Sequence, residues 1–396
     1  MDTGCRALIV DRIRQRGPIT VSEYMALALY APGAGYYVRA DQRSGRTGDY
    51  FTSVDMGPVF GALLAWQFAD MWARMGGDAG GPAHIDMVEV AAGNGRLSRD
   101  ILDAAERRYP AFYGAVVAHL VERSPSARAA QTATLAAHLS RVVSSSADVP
   151  TSYEGILFAN ELLDAFPVHV VQMSGAGLGE IYVDLKGDGL VERLAAPSTP
   201  ALAAYLEDAD VTLEPGTRGE INLGAVAWVA DVAARLRRGF IVLVDYGHEA
   251  AELYSAAHAQ GTLATFHRHL VDAPDAANRT TPAWLVDPGD RDLTSHVDVT
   301  SIRRAAERAG MKTLRMTDQT KFLLEIVEQS GLVAELSAPD HLRERLALKT
   351  LLVPGGLGST HTVMVFSKGI DYMEDRDSRS SPGSLDAGGG GRAPEP

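Results

Sequence analysis

Cysteine is nearly absent from this chain: Cys5 is the only one in 396 residues. That excludes an internal disulfide and any cysteine-based zinc or iron–sulfur centre, and it fits a reducing compartment. Long apolar runs are missing too. Residues 1–17 are interrupted by Asp2, Arg6, Asp11, Arg12, Arg14 and Arg16, which leaves no core for a signal peptide. Residues 60–75 are the most apolar later stretch, and Gln67, Asp70 and Arg74 break it well short of a membrane span. A cytoplasmic protein without membrane insertion is therefore expected. Positive charge is scarce: 37 Lys and Arg against 50 Asp and Glu give a formal net charge of −13, which disfavours nucleic acid as the main partner. Only five of the basic residues are lysines, and alanine is abundant, the bias of a GC-rich bacterial genome.

What is present is an ordinary globular composition. Hydrophobic residues make up 46% and charged residues 22%, enough to bury one large core or two smaller ones. The organising stretch is Asp86-Met87-Val88-Glu89-Val90-Ala91-Ala92-Gly93-Asn94-Gly95-Arg96-Leu97-Ser98. Strand formers run through an acid into a glycine turn, and a helical pattern follows. Gly93 and Gly95 permit positive φ and close approach of a ligand to the backbone. The third glycine of a dinucleotide fingerprint would fall at Ser98, so the pyrophosphate signal is weak. An acid before a Gly-x-Gly turn suits S-adenosylmethionine better, because Glu89 can help hold the ammonium of its methionine end, directly or through water. The loop alone leaves three readings open: a methyltransferase, a dinucleotide enzyme, or a structural strand–helix turn.

Along the chain, residues 6–16 have helical spacing, and Thr20-Val21-Ser22-Glu23 is a capping box opening a second helix. Residues 1–47 read as a helical lead-in and loop. Asp49 and Thr52 precede a long helix with Phe60, Leu63, Leu64, Phe68, Met71, Trp72 and Met75 on one face, and by sequence they are turn and cap residues. Buried strands are expected at 116–121, 141–143, 155–159 and 240–244, alternating with amphipathic helices, which predicts a three-layer α/β fold. Ligands of such sheets sit beyond the carboxyl ends of the strands. Glu122 ends the second strand, where an acid can accept both ribose hydroxyls of an adenosine; a helix N-terminal charge is the plainer reading. Asn160-Glu161 follow the strand at 155–159, and Asp245-Tyr246-Gly247 follow the one at 240–244.

The remaining divisions are a β-hairpin insertion over 168–222, core from 48–167 and 223–369, and a disordered tail over 370–396. The insertion offers an apolar face for a homodimer or for partner docking, and the sequence does not choose between them. His248, His258, His267, His269 and His296 match no metal-ligand spacing, so surface or hydrogen-bonding roles are expected and no metal is assigned.

Several separated segments together resemble the MidA-like family of class I S-adenosylmethionine-dependent methyltransferases, which includes a mitochondrial assembly factor for respiratory complex I. They are Leu29-Tyr30 through Tyr36-Tyr37, Gly48-Asp49-Tyr50-Phe51-Thr52 with Phe60-Gly61, Val88-Glu89 through Gly95-Arg96-Leu97, and His119-Leu120-Val121-Glu122. Next come Ala159-Asn160-Glu161 through Asp164-Ala165-Phe166-Pro167, Asp245-Tyr246-Gly247 and Gly261-Thr262-Leu263. The last are Pro288-Gly289 with Asp292-Leu293-Thr294 and His296-Val297-Asp298, then Gln319 with Phe322-Leu323. The family usually reads Glu-Leu-Gly-Pro-Gly-Arg-Gly where this chain has Glu89-Val90-Ala91-Ala92-Gly93-Asn94-Gly95.

The resemblance implies a Rossmann-like class I fold, S-adenosylmethionine as cofactor and a protein acceptor, since the mitochondrial relative methylates an arginine. It implies cofactor contacts at Asp49, Thr52, Glu89, Ala91, Gly93, Gly95, Leu97, Glu122 and Asn160. An arginine acceptor needs its charge paired and its lone pair aimed, which carboxylates do. Glu161 and Asp164 are the candidates, with Asp245 and His296 behind them. A small-molecule O- or N-methyltransferase and a non-catalytic assembly factor are the alternatives.

Overall fold

The computed structural model describes residues 4–38, 52–77, 84–267, 270–272, 281–337, 341–353 and 360–370. Asp49 lies outside the described residues, as do His269 and the tail from 371 onward.

The chain enters through α1 (Cys5–Arg16), β1 (Ile19–Thr20) and α2 (Val21–Tyr30), then α3 (Pro58–Arg74). Thr20 caps the second helix as expected: the Glu23 amide donates to Thr20 Oγ1 at 3.1 Å, while the Glu23 carboxylate pairs with Arg12 at 3.3 Å and the reciprocal half of the capping box is not formed. Strands and helices then alternate: β2 (Ile85–Val90), α4 (Arg96–Arg108), α5 (Pro110–Ala115), β3 (Val116–Val121), α6 (Pro125–Thr134), β4 (Val142–Ser146) and β5 (Tyr153–Asn160). Four strands of the 168–222 segment follow, β6 (His169–Ser174), β7 (Gly177–Lys186), β8 (Gly189–Ala195) and β9 (Arg218–Ile221), with α7 (Ala201–Asp208) between the last two. The chain returns through α8 (Leu223–Arg235), β10 (Leu236–His248) and α9 (Ala250–Leu253). A small sheet is built from β11 (Ala264–His267), β12 (Leu270–Asp272) and β13 (Asp292–Thr294). The end comprises β14 (Val297–Asp298), α10 (Val299–Arg308), β15 (Lys312–Asp318), α11 (Gln319–Ser330), α12 (Leu332–Leu336), α13 (Leu342–Leu352) and β16 (His361–Lys368).

The central sheet has the order β15-β16-β10-β5-β2-β3-β4, with β14 beside the end of β10. Strands β10, β5, β2, β3 and β4 are parallel, and β16 runs antiparallel between β10 and β15. Every parallel strand therefore ends at the same edge, and the cluster of acids read from the sequence collects there.

Both faces of this sheet are buried, which is why its strands are continuous apolar runs. On one face Met87, Ile156, Phe158, Phe240, Val242 and Val244 pack under α3, α4 and the C-terminal helices. On the other, Val88, Val90, Leu157, Ala159, Ile241 and Leu243 meet α8 and α10. Each large side chain contributes about 1.5–3 kcal/mol by leaving water. The rings of Phe68 and Phe158 lie 5.0 Å apart.

The 168–222 segment forms its own antiparallel sheet, and β1 of the lead-in joins it, with Ile19 opposite Val183. The two segments thus share a cluster around Ile9, Tyr24, Met25, Val170 and Ile181. Tyr24 anchors that cluster by donating to the Trp284 carbonyl at 2.7 Å. The three-stranded sheet at β11–β13 was not legible in the sequence. No helix among the described residues is long and apolar enough to cross a membrane.

Helices α3 and α4 approach so closely at Gly61 that a Cβ there would lie 2.5 Å from Asp100 Cβ and 2.9 Å from its carbonyl carbon. The obstacle includes backbone, so the helices themselves would have to part. Gly61→Val is expected to cost about 1–3 kcal/mol or more of stability, read as a lower urea midpoint at unchanged slope.

Candidate active site

The site is assembled where β2, β3, β5 and β10 end. Between β2 and α4 the chain turns with Ala91 at φ 58°, Gly93 at 51° and Gly95 at 84°. A side chain at Gly95 would also press on Leu120 and Leu135, at 3.0 and 3.1 Å. Ala91 pays the ordinary penalty of an L-residue in this region, about 1–2 kcal/mol. That explains the glycine expected there from the family pattern: the loop keeps the glycine backbone shape without the glycine.

Two acids hold the turn from opposite sides. Glu89 is buried, and its Oε2 accepts the Ser98 amide at 3.1 Å and also bonds the Ser98 hydroxyl. Glu89 is thus a brace behind the loop, fixing the first turn of α4. Burial pushes its carboxyl up to about 8, against the two Ser98 donors that favour the charge. Glu122, at the end of β3, accepts the Gly93 amide at 2.9 Å and the Ser124 amide at 2.7 Å. A carboxylate has about four acceptor positions. Two are used, and the remainder suit a pair of ribose hydroxyls. Gln131, on α6, closes the turn by donating to the Gly93 carbonyl at 2.8 Å.

Thr52 and Leu97 each have a structural role in holding the turn. Both Thr52 N and Oγ1 donate to Asp55 Oδ2, at 3.0 and 3.1 Å, and Asp55 Oδ1 accepts Arg96 Nη2 at 2.6 Å. Thr52 is therefore the cap that the sequence reading favoured, tied through Asp55 to the residue after the glycine turn. Leu97 packs into the apolar core beneath the loop. It supports the turn from beneath.

The exit of β5 is the second half of the site. Glu161 sits at φ 54°, in the left-handed region that a glutamate avoids. Strain of this kind persists where the surroundings over-determine it, and it collects at functional positions. The surroundings are Asp245, whose Oδ2 accepts the amides of Leu162 at 2.9 Å and Leu163 at 2.6 Å while Oδ1 accepts that of Tyr246 at 2.9 Å. The Glu161 amide itself bonds the Val244 carbonyl at 2.8 Å. Asp245 is accordingly a positioning residue. Burial raises its carboxyl above the usual range although three backbone donors favour its charge.

Glu161 Oε1 accepts the Asn160 amide group at 2.9 Å and lies 3.4 Å from His361 Nε2. His361 begins β16, lies against Tyr246 with ring centroids 3.9 Å apart and planes tilted by 40°, and is buried. Asp164 is buried nearby, and burial raises its carboxyl well above the ordinary range, as do the charges of Asp245, Glu161 and Asp292. Asp292 accepts the Tyr37 hydroxyl at 2.8 and 2.9 Å, and Tyr37 stacks on Tyr30. Tyr30 in turn donates to the Ala165 carbonyl at 2.8 Å. Four carboxylates thus share one low-dielectric pocket rimmed by tyrosines.

Sequence reasoning found Glu161 and Asp245 by their place after strands, and Asp164 through the family resemblance. Asp292 and His361 were missed as site residues, since neither follows a parallel strand; for Asp292 only its family segment carried a signal.

His296 does not join the carboxylates. Its rings neighbours are His248 at 5.1 Å and His258 at 6.0 Å, and burial with those two imidazoles pushes it down to about 4. The three histidines come from separate segments, which is why no spacing revealed them.

The pocket fits the expected cofactor by an independent sign: Asn160 Oδ1 is buried without a hydrogen-bond partner among the described residues. An unpaired acceptor beside the glycine turn suits the ammonium of a methionine moiety.

Two expectations follow. Ala91→Gly should raise stability by about 0.5–1 kcal/mol, the relief of strain less the added freedom of the unfolded chain, measured by urea denaturation. Glu89 binds its proton more tightly folded than unfolded, so its contribution is full below about pH 4.5 and fades as pH rises through about 8. Glu89→Gln should flatten that decline by about 1 kcal/mol per pH unit between those limits, read from unfolding at several pH values.

Comparison with known proteins agrees with this arrangement. Residues 63–317 match the model of a family described as S-adenosyl-L-methionine-dependent methyltransferases. Protein arginine methyltransferase NDUFAF7, mitochondrial, of Mus musculus is 30% identical over 343 residues, covering 80% of this chain and 72% of that protein. Its Drosophila melanogaster homolog is 29% identical over 332 residues, covering 76% and 69%. Among solved structures, a Burkholderia thailandensis protein bound to S-adenosyl-homocysteine superposes with a TM-score of 0.81 at 30% identity, covering 93% of this chain and 92% of that one. With the glycine turn, its two acids and the class I sheet order in place, the chain belongs to this MidA-like family of S-adenosyl-L-methionine-dependent methyltransferases.

Proposed function

We propose that this methyltransferase modifies an arginine side chain of a protein. The observation that carries the reading is the pocket of four carboxylates, Glu161, Asp164, Asp245 and Asp292, at the end of β5 and β10. Burial and the neighbouring carboxylates raise the proton affinity of Asp164 and Asp245, and a guanidinium entering beside them would offset that crowding. Its planar fork of donors matches carboxylates in pairs. The relatives named protein arginine methyltransferases support the same acceptor.

Bound S-adenosyl-L-methionine supplies a methyl group on a positively charged sulfur. Glu122 would hold the ribose, Asn160 Oδ1 the ammonium, and the Gly93–Gly95 turn the close face of the ligand. Glu161, fixed by Asn160 and His361, would orient the guanidinium and aim one nitrogen lone pair along the line of displacement. When that nitrogen is methylated it gives up a proton. Asp164, whose proton affinity is raised by burial and by three neighbouring charges, is the residue placed to take it.

Glu161→Gln keeps the shape and loses the charge. Methyl transfer should fall on the order of 100-fold while calorimetric affinity for S-adenosyl-L-methionine stays within a few-fold. The assay is incorporation of tritiated methyl into a lysate, followed by separation of protein from small molecules and amino-acid analysis of the labelled protein. Label recovered in the small-molecule fraction, or an undiminished rate in the variant, would overturn the arginine assignment.

A further inference from the structure

His248 ends β10, His258 ends a short 3-10 turn at Ala256–His258, and His296 lies between β13 and β14. Three distant parts of the chain thus bring imidazoles together. One nitrogen from each lies within 4.8 Å of the other two. The parallel pairing of β10 with β14, Gly247 opposite Val297 and His248 opposite Asp298, sets two of them side by side. The frame beneath is firm. Glu220 accepts the Thr262 amide at 2.9 Å and its hydroxyl at 3.1 Å, and Thr262 Oγ1 accepts the His296 amide at 3.0 Å. The Arg218 amide holds the Ala259 carbonyl at 2.9 Å, tying the His258 loop to β9.

The ring nitrogens are divided in a particular way. His248 Nδ1 faces the Glu252 carboxylate at 3.2 Å, and His258 Nδ1 faces the Glu252 backbone carbonyl at 3.1 Å. A histidine that donates Nδ1–H to a carboxylate or carbonyl presents Nε2 as a lone pair, and this is the outer bonding that metal-ligating histidines ordinarily have. In His296 it is Nδ1 that is buried with no hydrogen-bond partner among the described residues. An orphaned buried imidazole nitrogen beside two imidazoles whose Nδ1 atoms face acceptors is costly without a ligand.

We infer that His248, His258 and His296 form a binding site for a divalent cation of the zinc class, with Glu252 orienting two of the three ligands. All three donors are neutral imidazole nitrogens, the set preferred by zinc over magnesium or calcium, which take oxygen ligands. Zinc–nitrogen bonds of about 2.0–2.1 Å in a tetrahedron bring ligand nitrogens to about 3.3 Å of one another. Rotation about the side-chain torsions of the histidines supplies that closure. A fourth position stays open to water. The cation would clasp the end of β10, the α9 loop and the turn after β13. That turn is next to the methyl-transfer pocket, since the Ser295 amide donates to the Asp164 carbonyl at 3.0 Å. The site stands apart from the cofactor cradle and does not depend on the identity of the methyl acceptor.

The test is calorimetric titration of tag-free full-length protein with Zn²⁺ and, separately, with Co²⁺ followed by visible absorption. One ion per chain is expected, with a nitrogen-ligated cobalt spectrum. His248→Ala and His258→Ala should each weaken Zn²⁺ binding by roughly 100-fold or more, and Glu252→Gln by roughly 10-fold, because outer partners cost less than ligands. Circular dichroism and S-adenosyl-L-methionine affinity confirm that the variants fold. Binding that is absent from the intact protein, or equal in folded His258→Ala, overturns the site.

Discussion

The carboxylate of Asp245 accepts three backbone amides, those of Leu162, Leu163 and Tyr246, and through them determines how β5 leaves the sheet beside β10. Hydrogen bonds to a charged group contribute about 1.5–3 kcal/mol each. Glu161 in its left-handed conformation costs about 1–2 kcal/mol. The three bonds outweigh that strain, so the glutamate is held in a conformation it would otherwise leave. Asp245 follows an apolar strand, as a catalytic acid would, yet its oxygens are occupied by the chain. The residue it positions is the one free to meet a substrate.

The glycine turn is held by the same logic with acids on both sides. Glu89 fixes the start of α4 through Ser98, and Glu122 fixes Gly93 from the adjacent strand. Thr52, Asp55 and Arg96 add a third tie from the segment before α3. A loop restrained from three directions tolerates alanine at position 91 despite its positive φ, because the backbone path is dictated by its anchors. One glycine of the family pattern can therefore be lost without losing the turn.

The layers and the strand ends could be read directly from the sequence. Continuous apolar runs such as 240–244 and the polar residues just beyond them are local signals, and Glu122, Asn160, Glu161 and Asp245 all stand at one edge of the sheet as that pattern implies. Roles were less legible than positions. Glu89 and Asp245 bond to the backbone or to a helix cap, and no spacing distinguishes an acid that faces its own chain from one that faces a ligand. His361 reaches the pocket from the antiparallel strand β16, some 200 positions beyond Glu161. The histidine trio depends on β10 meeting β14. Contacts between segments so far apart arise only when the sheet is assembled.

The charge arrangement constrains what the pocket can accept. Asp164 is enclosed with Asp245, Glu161 and Asp292 in a volume that water cannot screen, and like charges there repel strongly. Burial and this repulsion favour protons on Asp164 and Asp245, and a bound cation would favour their ionisation. An anionic or neutral acceptor leaves the repulsion in place, whereas a guanidinium offsets two acids at once through its paired donors. Methylation leaves the guanidinium charge intact, because the arriving methyl group replaces a proton. That proton needs a destination inside a site closed to water. If the acceptor is an arginine, as proposed above, an acid whose proton affinity is already raised would provide one, and the same crowding of carboxylates that would draw the acceptor in would also equip Asp164 to receive what it releases.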